Sequence, residues 1–240
     1  MALGSQPRWT TRPADTVVGI DAGLREYMLR VYNYMASGLA LTGIVAYVAA
    51  FSGFYESIAK TPLIWLVILA PLGLVMLMSF GIQRMQASTA QMVFWLYAGL
   101  MGLSLAMVFL VFTGTSVARV FFITAGTFAA MSLYGYTTQR DLSQWGSFLM
   151  MGLIGIIIAS LVNIFVGSSA LQFAISVIGV VVFVGLTAWD TQQIKETYYQ
   201  YQYADGQTAS KTAIMGALRL YLDFINLFMM LLQLMGARRD

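Results

Sequence analysis

Trp145-Gly146-Ser147-Phe148-Leu149-Met150-Met151-Gly152-Leu153-Ile154-Gly155-Ile156-Ile157-Ile158-Ala159-Ser160-Leu161-Val162-Asn163-Ile164-Phe165-Val166 contains no charged residue. A helix needs about 20 largely apolar residues to cross a bilayer, because inside hydrocarbon every backbone N–H and C=O must be bonded within its own segment. This stretch meets that requirement. Outward from it, six others do too: 31–51, 63–80, 92–112, 117–136, 170–190 and 214–235. The breaks between them carry turn or polar residues: Ser52-Gly53 and Lys60-Thr61-Pro62, 83–91, Thr113-Gly114-Thr115, 137–143, Gly167-Ser168-Ser169 and the long 191–212. The expected fold is an all-α integral membrane protein of seven transmembrane helices, with 1–24 a polar cytoplasmic tail and 25–240 the membrane domain. A six-span alternative, in which the last segment is re-entrant, is the weaker fit because 214–235 is long enough to span.

Composition agrees. Of 240 residues, 59% are hydrophobic and 10% charged, far below the roughly 25% charge of soluble domains, which excludes a soluble enzyme and a disordered chain alike. There is no Cys and no His, so disulfides and the usual thiolate or imidazole metal sites are excluded and no cofactor is expected. A net charge of +3 gives no basis for nucleic-acid binding; membrane lipid is the expected surrounding. The first residues are polar and the first apolar run can already span, so no cleavable signal is expected. With a cytoplasmic N-terminus, Arg8, Arg12, Arg25, Arg30, Arg84, Arg140, Lys195 and Lys211 fall inside, against Lys60, Arg238 and Arg239 outside. Asp21 is a candidate helix cap ahead of the first span. Pairs of small residues, Ala36 and Ala40, Ala46 and Ala50, Gly126 and Ala130, suit close helix approach, and Pro71 is expected to kink the second span.

Four charged residues fall inside the seven runs: Arg119, Asp190, Arg219 and Asp223. Arg119 begins its span and can snorkel to the interface. The two Asp side chains are too short for that, and one at a helix centre costs about 2.5 to 3.5 kcal/mol. Asp190 ends the sixth run; Asp223 lies about 13 Å into the seventh, at 1.5 Å per residue, from the same side. If the sixth helix continues through Gln192, Lys195 and Glu196, the carboxylates reach similar depth and face each other. Two carboxylates so placed in a low dielectric titrate as a coupled pair and can sense pH. Their oxygens are hard ligands, suited to Ca²⁺ when joined by carbonyls or water. The bland alternative is an intrahelical pair between Arg219 and Asp223, four residues apart, with Asp190 hydrated. Asn226 extends the polar face of the last span, and Asn163 suits a helix-to-helix hydrogen bond. Arg84 closes the second span and can swing toward the acids, so that protonating one weakens an ion pair and releases a helix.

Three stretches resemble the Bax inhibitor-1 family: Thr137-Thr138-Gln139-Arg140-Asp141-Leu142-Ser143, Ala188-Trp189-Asp190-Thr191-Gln192-Gln193-Ile194-Lys195, and Leu220-Tyr221-Leu222-Asp223-Phe224-Ile225-Asn226-Leu227-Phe228. The resemblance runs from about Arg25 to Gly236, nearest to bacterial members, though the Tyr-rich loop 197–212 is longer than theirs. It implies seven helices with the last central and surrounded by the other six, a di-aspartyl pH sensor at Asp190 and Asp223, a closed-state role for Arg84, and a pH-sensitive calcium leak in a bacterial inner membrane. Calcium ions and protons are the implied partners, and no enzymatic activity is implied. The competing reading is an interaction protein that restrains a membrane protease or quality-control machinery. An intramembrane aspartyl protease is disfavoured because Asp223 sits in Tyr-Leu-Asp-Phe, and a retinal protein because Lys60, Lys195 and Lys211 fall in loops.

Overall fold

The structure is a computed structural model that describes residues 14–239, with side chains from residue 22. Arg8, Arg12 and the rest of 1–13 lie outside the described residues. Eight helices follow one another: α1 Ala14–Phe51, α2 Phe54–Ala59, α3 Leu63–Gly81, α4 Ala87–Val111, α5 Gly114–Thr137, α6 Ser143–Val166, α7 Ser169–Tyr201 and α8 Gly206–Met235, with a 3-10 turn Ile82–Arg84 after α3. All but the short α2 are long and apolar enough to cross a membrane, which makes seven spans. The described residues contain no sheet, only an isolated bridge between Phe112 and Arg238.

Three helices outrun their apolar stretches. Asp21 lies inside α1 and does not cap it. The expected loop 191–212 is mostly helix: α7 continues to Tyr201, and α8 starts at Gly206 with the Asp205 carboxylate accepting from the Thr208 N–H. Lys195 and Lys211 are therefore helical. The cause is that hydropathy falls where a chain leaves hydrocarbon, whereas Gln, Lys, Glu and Ala keep good helix propensity in water. The turn 202–205 and the start of α1 share one end of the bundle, here the N-terminal face; the opposite end is the C-terminal face.

α8 is the axis. Along its apolar stretch 61% of residues are buried, against 11% for α6: the uniformly apolar helix faces lipid, and the helix that carries Arg219, Asp223 and Asn226 is enclosed by its neighbours. It packs on α7, α1, α5 and α4, while α3 lies outside on α4 and α6 outside on α7. α3 runs unbroken through Pro71, and the Val67 carbonyl that proline leaves without its helical donor accepts the Ser104 hydroxyl of α4 at 2.6 Å.

Close helix approach occurs at other small residues than those expected. Ala46 and Ala50 are buried, but Ala36, Ala40, Gly126 and Ala130 are exposed. The tight crossings fall at Gly102 against the α1 backbone at Thr42, Gly135 against Ala188, and Gly146 under the Trp189 indole. On the C-terminal face, the chain after α8 is tied to the α4–α5 turn. Thr113 N–H donates to the Ala237 carbonyl at 3.0 Å, Arg239 N–H to Val111 at 2.9 Å, and the Arg239 guanidinium to Phe112 at 3.2 Å. The C-terminus thus ends on the face opposite the start of α1, as seven crossings require.

Candidate functional site

The site is built from the last polar turns of α7 and the middle of α8. One side of α7 is pinned. The Gln192 amide accepts from Leu142 N–H and donates to the Arg140 carbonyl, both at 2.8 Å, and Lys195 Nζ donates to the Tyr136 carbonyl at 2.9 Å. These bonds hold the short loop between α5 and α6, whose Asp141 accepts the Ser143 N–H at 2.8 Å and opens α6. Asp141 is held below the usual carboxylate range by the Ser143 hydroxyl and then by the Ser143 N–H, both donating to it. A hydroxyl relay fixes the next face: Tyr32 with Ser132 at 2.5 Å, Ser132 with Thr191 at 2.9 Å, and Thr191 donating to the Thr187 carbonyl at 2.7 Å.

With those faces held, Asp190 turns toward α8. Its carboxyl group and that of Asp223 meet within hydrogen-bonding reach. Both are buried, at 9% and 5% relative exposure, and Asp223 Oδ2 has no hydrogen-bond partner. The pairing expected from the sequence is present, and α7 does continue past Gln192 and Lys195 as that pairing demands. Two residues ahead on α8, Tyr221 is anchored by its hydroxyl contact with Thr42 at 2.7 Å, while Thr42 also donates to the Ala98 carbonyl.

The cation beside the pair is Arg219. Its Nη1 lies 3.9 Å from Asp190 Oδ1, so the guanidinium reaches across to α7 rather than along its own helix to Asp223, as the bland alternative supposed. About half exposed, it also forms part of the wall of a cavity of about 360 Å³ on the N-terminal face, with Tyr27, Gln83, Thr197, Thr208 and Thr212. Arg84 sits in the 3-10 turn, exposed on the same face, and does not line that cavity. Asn226 spends its amide N–H on the Leu222 carbonyl of its own helix at 2.9 Å. Asn163 belongs to a separate cluster on the C-terminal face, where its amide donates to Gln172 at 3.1 Å and Gln172 in turn bonds Gln233. Arg119 is exposed near the start of α5, free to reach the interface.

Sequence reasoning missed the hydroxyl relay Tyr32–Ser132–Thr191 and the clamp made by Gln192. A Ser or Thr in an apolar span ordinarily bonds its own i−4 carbonyl, as Thr187 and Thr124 do here, so its residue type carries no sign of a partner on another helix. Among the described residues no third Asp, Glu, His or Cys joins the pair. With a guanidinium beside them, two carboxylates supply only part of the six to eight oxygens that a resident Ca²⁺ takes.

A family profile described as "Inhibitor of apoptosis-promoting Bax1" matches residues 24–240. The chain is 53% identical over 221 residues to the RP147 protein of Rickettsia prowazekii, covering 92% of this chain and 93% of that one. To the inner membrane protein YbhL of Escherichia coli it is 50% identical over 228 residues, covering 94% and 97%. A Caulobacter vibrioides protein matches at 44% identity over 239 residues, 95% of both chains. Seven spanning helices with the last one central, the paired acids and these matches over nearly the whole length agree: the chain belongs to the Bax inhibitor-1 family.

Proposed function

We propose that this protein is a pH-gated calcium leak of a bacterial inner membrane, oriented with its N-terminus in the cytoplasm, and that it is not an enzyme. The observation that carries this reading is the buried contact between Asp190 and Asp223, with Arg219 linking it to a cavity on the N-terminal face. Intramembrane acids that face a bundle interior mark ion or proton pathways. Arg219 is the plug: while Asp190 is ionised it holds the guanidinium across the route, which repels a divalent cation. Protonation of the pair removes that counter-charge, freeing Arg219 to withdraw into the half-open cavity and α7 to shift on α8. Ca²⁺ is cargo, touched in passing by the two carboxylates. An inner-membrane location follows the name of the relative YbhL and the basic residues that gather on the N-terminal face.

The test is calcium flux into dye-loaded proteoliposomes across about pH 5 to 8, comparing the native chain with Asp190→Asn and Asp223→Asn. A passive flux whose pH dependence disappears in either variant is expected. Uptake against a gradient would identify a transporter instead. No flux above empty liposomes, with folded protein verified, would overturn the leak and leave binding of a membrane protease as the reading to pursue.

A further inference from the structure

α1 and α5 both pack on α8, yet they stand apart along much of their length and leave a groove of about 1160 Å³ open toward the surroundings. Phe224, Ile225 and Phe228 of α8 form its floor. Its walls alternate small residues, Ala36 and Ala40 on α1 and Ala125 and Ala129 on α5, with larger apolar ones such as Leu39 and Phe121. The alanines would let two helices pack together, and here no helix covers them.

Polarity in the groove is one-sided. Arg25, Tyr32, Ser132 and Tyr136 line the end at the N-terminal face. Beyond them the lining is apolar except for Thr42, whose hydroxyl is engaged with Tyr221 and the Ala98 carbonyl. Along α1 the lining runs from Arg25 to Ala46, about 32 Å at 1.5 Å per residue, so the half nearer the N-terminal face matches one leaflet of a roughly 30 Å hydrocarbon core. A second copy of the chain would not need a cation at one end only, and a polar peptide would find no hydrogen-bond partners over the apolar length.

We propose that this groove is a binding site for one anionic glycerophospholipid from the leaflet at the N-terminal face. Its phosphate pairs with Arg25, and an acyl chain lies between the two walls over the α8 rings. Burying a chain there gains nothing from leaving water, since the bilayer is already apolar. The affinity comes from close packing on three sides and from the guanidinium–phosphate contact. The headgroup preference comes from net charge, because anionic lipids concentrate at basic juxtamembrane residues. The occupied end lies beside the Tyr32–Ser132 bond that bridges α1 to α5 and continues to Thr191, next to Asp190. This site requires no ion conduction, so it and the leak fail independently.

Native mass spectrometry of the full-length protein, titrated with phosphatidylglycerol and phosphatidylcholine, tests the proposal. One phosphatidylglycerol should stay bound with at least about fivefold preference over phosphatidylcholine, and Arg25→Gln should abolish that preference. Ala40→Trp and Ala129→Trp, filling the groove from opposite walls, should each remove the adduct while circular dichroism stays native. If one of them misfolds the other still reads the site, and spin-labelled phosphatidylglycerol on the native protein should show an immobilised component that unlabelled phosphatidylglycerol displaces. Equal retention of both lipids, an adduct that survives filling, or a native dimer that the filling variants split would overturn it.

Discussion

Asp190 and Asp223 stand out in the sequence because a carboxylate in an apolar run is costly enough to need a reason, and the structure brings the two together. The partner of Arg219 does not stand out. Spacing of four residues points to Asp223 on the same helix, but the guanidinium goes to Asp190 on α7, a choice set by how α7 and α8 are rotated and invisible in either helix alone. Arg84, in the turn after the peripheral α3, is exposed, and among the described residues it forms no ion pair with either acid. Arg219→Gln should therefore raise calcium leak at neutral pH by about tenfold, the factor for roughly 1.4 kcal/mol of barrier, while Arg84→Gln changes it by less than about twofold. Equal effects in the flux assay would return the gate to Arg84. Asp141 supplies a pH prediction away from the membrane interior. Its carboxylate is held low by Ser143, so its support of α6 is complete above the ordinary carboxylate range and is lost as pH falls through the lower folded value. At neutral pH, Asp141→Ala should speed amide exchange in the first turn of α6, and Asp141→Asn should not.

At the scale of elements, each span is legible from its apolar run, but helix ends and helix contacts are not. Apolar length reports where hydrocarbon lies, whereas a helix stops where its hydrogen bonds stop. This is why the α7–α8 hairpin extends well past the spans read from hydropathy. Small residues likewise mark where approach is allowed, not where it happens. Gly126, marked by its spacing from Ala130, has open space around its missing side chain, whereas Gly135, which no such spacing marks, would set a Cβ against the Ala188 backbone. A backbone carbonyl cannot swing aside as a side chain does. Gly135→Ala should lower thermal stability in detergent by about 1 to 3 kcal/mol, and Gly126→Ala should be neutral or slightly stabilising. The reverse order would mean that α5 meets α7 along a different line. Ser104→Ala removes the donor to the carbonyl that Pro71 frees, and should cost about 0.5 to 2 kcal/mol in the same melt.

For the whole molecule, the question left open by charge alone is the side on which the chain ends. Arg238 and Arg239 fall on the face that otherwise carries few cations, against the tendency for such pairs to stay inside. The structure removes the conflict locally. The Arg239 backbone and guanidinium are both tied to the α4–α5 turn, at Val111 and Phe112, and the guanidinium lies 5.6 Å from the centre of the Phe51 ring. A cation satisfied by carbonyls and an aromatic face has less to gain from the opposite side of the membrane. The hairpin at 202–205 and the C-terminus must then lie on opposite sides, separated by α8 alone. A reporter active only outside the cytoplasm should be active when fused after residue 240 and silent when inserted at 204, in the native sequence and in Arg239→Ala alike, because α8 is long and apolar enough to fix the crossing by itself. Activity at neither position would restore the six-span arrangement and take the last helix, with Asp223, out of the centre of the bundle.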